Sequence, residues 1–243
     1  MRDSEALLAR VLRKLAWLWS WFWMQWAGRG PLGRIATFVA TWVAPPHKAR
    51  TYLATLNPRG YIACNAVIHH EKLRLGSNVF IDDRVVIFQR EHGSVIELGD
   101  QVCIFRDVII ETGEGASLTV GAGSSIHPRC SLHASMASIH IGSGVLIGPN
   151  CAVYSYDHST GPAESIREQP LTTKGDVHIG DESWLGFGVI VLSGVRIGKG
   201  AVVGAGSVVT HDIPDNAVAI GIPARVVRMR CDVESPAMEA KSY

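Results

Sequence analysis

A chain of 243 residues with 23 Lys and Arg against 22 Asp and Glu is almost neutral, which excludes the broad positive footprint of a general nucleic-acid binder. Its length admits one large domain or two small ones. Its 25 glycines recur periodically instead of clustering, which excludes a flexible glycine-rich linker and points to a repeat architecture. Five cysteines without CxxC spacing argue against a disulfide framework. They read as thiols kept reduced, with Cys130 and Cys151 at small inward positions of the repeat.

The first element is aromatic. WLWSWFWMQW, Trp17 to Trp26, holds five of the seven tryptophans, with Arg10, Arg13 and Lys14 before it and Arg29 and Arg34 after it. The apolar run is about half the ~20 residues of a spanning helix. It lacks the small-residue cleavage site of a secretory signal. Two readings stand: a helix lying flat on a membrane surface, Trp at the interface and basic side chains reaching headgroups, or a helix packing its aromatic face on its own domain or a neighbouring subunit. GRGPLGR, Gly28 to Arg34, breaks this helix. A second apolar stretch, IATFVATWVAPP, ends at Pro45-Pro46.

From Leu75 onward an aliphatic residue recurs at every sixth position, often followed by Gly: LGSNVF, IDDRVV, LGDQVC, and later IGDESW, LGFGVI, VLSGVR, IGKGAV, VGAGSV. Period six is neither helical nor simply alternating. It fits short strands joined by tight turns, three per coil, with Gly, Asn and Asp where the turns need positive φ. Each coil must stack on its neighbours to bury its inner face, which predicts a parallel β-helix of triangular section. Gly180, Gly198 and Asn216 are spaced by three hexads each. The earlier intervals, Gly76 to Gly99 to Gly121 to Gly142, are a few positions longer, so those coils carry a little extra chain at a corner. The interval from Gly142 to Gly180 holds one coil and about as much chain again. A polar loop containing YSYDHST therefore leaves the prism at one corner, and the repeat resumes after it.

Asp181 to Arg228, DESWLGFGVIVLSGVRIGKGAVVGAGSVVTHDIPDNAVAIGIPARVVR, together with the DH of the loop, resembles the hexapeptide-repeat acyltransferases, most closely the maltose and galactoside O-acetyltransferase branch. The resemblance spans roughly Leu75 to Arg228 and leaves the N-terminus outside. It implies a left-handed β-helix, a homotrimer, active sites between adjacent subunits and acetyl-CoA as co-substrate. It places the catalytic histidine at His158 and the amide that meets the thioester carbonyl at Phe187, where the family often has Ser. It places a pantetheine contact at Ala205 and contacts near the adenosine 3′-phosphate at Thr210, His211, Arg225 and Arg228. His211 stands where the family commonly has Lys. The acceptor-positioning residue falls near Cys130, and because a thiol cannot replace an amide, the small sugar of the namesake enzymes is not the expected acceptor.

The residues agree with that chemistry on their own terms. Acyl transfer from a thioester to a hydroxyl needs a base, an oxyanion donor and two substrates held together; histidine and a backbone N–H serve the first two. No G-x-S-x-G elbow occurs, so direct attack without a covalent enzyme intermediate is expected. Asp157 either orients the imidazole or is a turn residue. Glu164, Arg167 and Glu168 are candidate acceptor contacts. Arg225 and Arg228 suit phosphate through their forked donors.

Three rivals remain: a zinc carbonic anhydrase using His127, His133 and His140, a non-catalytic scaffold, and an N-acetyltransferase of an amino sugar. The expected organisation is an aromatic helical region over residues 1–60, a β-helix over 61–228 and a polar tail over 229–243. The expected function is acetyl transfer to a saccharide hydroxyl, with a surface-polysaccharide or lipid-linked precursor as acceptor if the N-terminus touches membrane. No metal and no nucleic acid are expected, and the location is cytoplasmic, on or near the inner face of the membrane.

Overall fold

The structure is a computed structural model and describes residues 2–162 and 165–232. Its body is a parallel β-solenoid of seven coils; each gives one short strand to each of three sheets, except the seventh, which meets the third sheet only through a bridge. The first face runs from Tyr61–Ile62 through Phe80–Ile81, Cys103–Ile104, Ser125–Ile126, Leu146–Ile147 and Trp184–Leu185 to Val202–Val203. The second runs from Val67–His69 to Val208–Val209, and the third from Leu73–Leu75 to Arg196–Ile197. We call the corner between first and second faces the first edge, that between second and third the second edge, and the remaining one the third edge.

The hexad rhythm sets the core directly. Ile62, Ile81, Ile104, Ile126, Ile147, Leu185 and Val203 stack coil upon coil in one register. All seven are buried, each contributing about 1.5–3 kcal/mol of apolar burial. First-face pairing runs Tyr61, Phe80, Cys103, Ser125, Leu146, Trp184, Val202, and the step from Leu146 to Trp184 is the long one, as the glycine intervals require. One coil precedes the first clear hexad; its turns at Asn65 and Lys72 lack glycine, so the rhythm is hidden there. The last step is shorter than the spacing predicts. Ile197 bridges Ile213, and Val202 pairs with Val218, two positions short of three full hexads. Pro214 has no N–H to extend the ladder, so the third face ends in a single bridge.

The turns also depart from expectation. Arginine occupies positive-φ corners at Arg84 (φ 56°) and Arg129 (φ 62°), below Asp107 and Asn150 in the same column. Each arginine is held by the next coil: Arg84 donates to both oxygens of Asp107 at 2.7 and 2.8 Å, and Arg129 donates to Asn150 Oδ1 at 2.9 Å. Coil-to-coil bonding thus offsets a backbone cost that glycine would avoid. At the third edge, Asp100, Asp181 and Asp215 each accept an amide N–H from the coil below, from Ser77, Ser143 and Lys199 at 2.6–2.8 Å.

Helices cap the N-terminal end: α1 (Arg2–Met24), α2 (Pro31–Ala40) and the short α3 (Tyr52–Thr55). Helices α1 and α2 pack largely through small residues, with Met24 the large exception. Ser20, Met24 and Ala27 meet Gly33, Ala36, Thr37 and Ala40, all buried, and Ser20 Oγ donates to Ala40 O at 3.1 Å. Among the described residues no helix is long and apolar enough to cross a membrane. After the last coil, strand Ala217–Gly221 turns back into the antiparallel strand Ala224–Met229, and a turn at Arg230–Asp232 carries the chain past Arg228.

Candidate active site

The break in the repeat is a hairpin on the second edge. After Ala152–Tyr154 the chain leaves the prism, Asp157–His158 pairs antiparallel with Leu171–Thr172, and the third face resumes at Val177. The hairpin is tied to the body at its base: Thr173 Oγ1 donates to Ser155 O at 2.6 Å, and Ser193 Oγ donates to Asp157 Oδ2 at 2.8 Å. Asp157 is therefore neither a turn residue nor the partner of His158. It is a strand residue whose carboxylate anchors the hairpin to the following coil, and strand alternation sends its neighbour to the other side. His158 is exposed and presents its imidazole to solvent. Arg167 and Glu168 lie exposed farther out on the loop; Glu164 lies outside the described residues.

Beneath the hairpin the outer side of the second face carries a column of aligned residues, His69, Phe88, Glu111, His133 and Tyr154. The His133 and Tyr154 rings stack at 4.8 Å, His133 Nδ1 lies 3.5 Å from Glu111 Oε2, and Arg90 Nη1 lies 3.4 Å from Glu111 Oε1. Burial holds the His133 pKa below its ordinary value, partly opposed by Glu111. A cavity of about 420 Å³ opens here, lined by Arg90, Glu91, Ser135 and by Leu171, the cross-strand partner of His158. Sequence reasoning passed over this column, although the coil lengths read from the glycines align its members.

Some of the residues expected to hold a coenzyme lie along the first edge. Phe187 and Ala205 occupy the same corner on successive coils, just past the paired Leu185 and Val203. Gly186 is required between them, because a Cβ there would stand 2.7 Å from Ala205 N. The Phe187 side chain is 56% exposed and its carbonyl accepts Gly206 N–H at 2.8 Å. Arg225 sits opposite Ile220, which shares the register of Gly186 and Gly204, so it stands one position before the Phe187–Ala205 corner on the last strand. Arg225 and Arg228 are exposed, each spending one N–H on a local carbonyl. Four or so guanidinium donors remain on each. Thr210 and His211 are elsewhere, on the second edge, two coils beyond the hairpin, with Thr210 Oγ1 2.8 Å from His211 Nδ1.

Cys130 does not line this surface. It is 1% exposed, and its thiol donates to Gly148 O at 3.0 Å inside the prism. Four positions after a corner aliphatic the repeat turns the side chain inward, so an acceptor outside the solenoid cannot touch it. Cys151 is buried in the same way, as the reading of both as core thiols requires. The three histidines of the carbonic anhydrase rival do not converge. His127 lies at the first edge, His133 on the outer second face and His140 on the outer third face of one coil. A different trio, His140, Asp176 and His178, has ligand atoms within 4.8 Å of one another. Its two imidazoles stack at 4.9 Å and 23°, so their in-plane lone pairs do not meet at one point.

Residues 176–211 match the family model described as bacterial transferase hexapeptide (six repeats). A galactoside O-acetyltransferase of Lactococcus lactis is 52% identical over 73 residues, 30% of this chain and 35% of that protein. The matched stretch thus spans about a third of the curated relatives' length. A Bacillus cereus protein provisionally described as an acetyltransferase superposes with a TM-score of 0.55 at 26% identity, covering 69% of this chain and 88% of the other. The polysialic-acid-specific acetyltransferase NeuO shares the fold with a TM-score of 0.58 at 21% identity, over 73% of each chain. The chain resembles the hexapeptide-repeat acyltransferases in its repeat and its solenoid.

Proposed function

We propose that this protein transfers an acetyl group from acetyl-CoA to a hydroxyl of a saccharide, with His158 as general base. The observation that carries the reading is the division of the candidate groups between two edges. The imidazole stands on a braced hairpin at the second edge, and the coenzyme candidates Phe187 and Ala205, with Arg225 one position before them on the last strand, lie along the first. A threefold assembly that sets the first edge of one subunit against the second edge of the next joins the two sets, so the site belongs to a homotrimer. His158 takes the acceptor proton as the hydroxyl oxygen attacks the thioester carbonyl; the Phe187 amide receives the developing oxyanion; the C–S bond breaks, and the proton passes to the departing thiolate. Since Phe187 acts through its backbone, the exchange of serine for phenylalanine is tolerated. Arg225 and Arg228 take the coenzyme phosphate, assisted by Thr210 and His211 from the neighbouring second edge. The acceptor lies in the cavity beneath the hairpin, with Arg167 over it.

The α1–α2 surface supports a peripheral location on the inner face of the cell membrane. Leu8, Val11, Leu12, Leu15, Leu18 and Phe22 share one exposed stripe of α1, and Arg10 and Lys14 flank one side of it. On α2, Leu32, Ile35 and Phe38 face outward, and Trp42 stacks on Trp19 at 6.2 Å to join the two stripes. A membrane-bound acceptor, such as a lipid-linked glycan, follows from that placement.

The test is thiol release from acetyl-CoA against a panel of saccharides, wild type beside His158→Ala, with coenzyme binding by calorimetry. Equal binding with a roughly 10²–10⁴-fold slower release in the variant is expected. Release only with amino sugars would replace the hydroxyl by an amine. Failure of both proteins to bind coenzyme A would overturn the acyltransferase reading.

A further inference from the structure

Where the helical cap meets the solenoid there is a cavity of about 760 Å³ that acyl transfer does not use. Its walls combine two cationic side chains, Arg29 and Arg59, with two exposed apolar ones, Trp26 at 66% and Leu32 at 83% exposure. Arg29 Nη1 donates to Leu73 O at 3.0 Å and Arg59 Nη2 donates to Gln25 O at 2.5 Å, so both guanidinium groups are fixed in place with most of their donors still free. The one carboxylate in the wall, Asp100, is turned to the Ser77 amide at 2.6 Å. Glycines leave the space open: a Cβ on Gly28 would meet only Arg59 Nη1, at 3.9 Å, and one on Gly30 would meet nothing within 4 Å.

Leu32 is also the first residue of the exposed α2 stripe that continues through Ile35 and Phe38. A ligand bound here would present an anion to two fixed guanidinium groups and an apolar chain to the surface that begins at the cavity mouth. A bare anion leaves Trp26 and Leu32 uncovered, and a neutral lipid leaves the two arginines unmatched.

We propose that this cavity binds the phosphate-ester head of an amphiphile whose acyl or prenyl chain lies along the α2 face. The proposal rests on the membrane-contact reading above. It gives that contact a stereospecific component: two forked donors recognise phosphate oxygens, and Trp26 occupies the boundary between polar head and apolar chain.

Calorimetric titration of the full chain with dihexanoyl phosphatidic acid, below its micelle concentration, is the test. Inorganic phosphate and dihexanoylglycerol are titrated in parallel. The phosphatidic acid is expected to bind at least tenfold more tightly than either control. Gly30→Glu, at an ordinary φ of −73° and in open space, should weaken that binding tenfold with an unchanged melting temperature. Arg29→Gln/Arg59→Gln should do the same and is checked by its melt. Equal affinity for inorganic phosphate overturns the amphiphile, and equal affinity for dihexanoylglycerol overturns phosphate recognition. Gly30→Glu binding like wild type removes the ligand from this cavity. Sedimentation with anionic vesicles separates the two readings. If the chain sediments but ignores the short lipid, the membrane contact stands and the cavity proposal falls; if it does neither, both fall.

Discussion

The solenoid and the helical cap are built to opposite rules. In the solenoid the large aliphatic side chains of the stacked column, Ile81, Ile104, Ile126 and Ile147, are inside, and the outward positions mix Arg, Asp, His and Ser with scattered apolar residues such as Phe88, Leu146, Trp184 and Phe187. On α2 the inward positions are small, Gly33, Ala36, Thr37 and Ala40, while Leu32, Ile35, Phe38 and the following Trp42 face out; Met24 and Leu53 are the large side chains that the cap buries. Both regions come from one chain and share a boundary, so composition alone does not explain the inversion. Small residues let α1 and α2 approach closely, and the large ones are then left for something other than this chain to cover. Trp23 is the exception among the α1 tryptophans: it packs on the core, while Trp17, Trp19 and Trp21 stay exposed. Packing on the chain's own domain therefore accounts for one side of the helix, and the proposed membrane contact would cover the other.

This contrast makes the two regions respond differently to the same kind of change. Ile126→Ala, in the middle of the stacked column and fully buried, should cost about 2–5 kcal/mol by chemical denaturation. Leu15→Ala on α1 should stay within about 0.5 kcal/mol; a loss as large as that of Ile126→Ala would mean that the cap is an internal core after all. Leu15→Ser/Phe22→Ser should leave the melting temperature unchanged and lower sedimentation with anionic vesicles by tenfold or more. Unchanged sedimentation with loss of the oligomer in light scattering would assign the stripe to a second copy.

Smaller effects test the hairpin and the charge state of the solenoid. Ser193→Ala removes the donor that holds Asp157. It should reduce thiol release about tenfold with coenzyme affinity unaltered, because only the placement of His158 loosens; equal turnover would show that the hairpin needs no such anchor. Burial lowers the pKa of His70, His127, His133 and His178 in the folded chain. Folded values below the ordinary 6.5 keep these rings neutral while the unfolded chain takes up protons. Stability is thus full above about pH 6.5 and declines as pH falls toward the folded values. His70 is the most enclosed of the four, with Nε2 2.9 Å from Thr112 Oγ1 and Nδ1 unpartnered. His70→Gln should flatten the melting temperature between about pH 7 and 5, and an unchanged slope would assign the effect to the other three. At the surface, Arg84→Lys breaks the fork on Asp107 and should shift the melting temperature by a degree or so, less in high salt.

Much of this molecule is written in its sequence because its contacts are periodic. The hexad spacing gives the inward positions, and differences between glycines give each coil length, so the doubled interval at the hairpin is visible without coordinates. Periodicity gives out where a turn is made another way. The opening coil lacks glycine at its turns, the last step falls two positions short of three hexads, and arginines at φ 56° and 62° stand where only Gly, Asn and Asp were expected. The candidate site was partly legible for a different reason. DH within a loop and the small residues of WLGFG and VGAG are local patterns. The Asp157–Ser193 bond, the inward thiol of Cys130 and the Glu111–His133–Tyr154 column are contacts between residues many positions apart.

The sequence by itself determined the repeat, the parallel stacking, the excursion at Tyr154 and the aromatic character of the N-terminus, since each depends on spacing or composition along one strand of chain. Only the tertiary structure decided which edge carries each group. His158, Thr210 and His211 stand on the second edge and Phe187 and Ala205 on the first, because a triangular coil turns through three faces and positions one hexad apart fall on different sides. It also decided that α1 and α2 would spend their small residues on each other, since helix–helix approach is limited by side-chain bulk, and the large apolar side chains were thereby left outward.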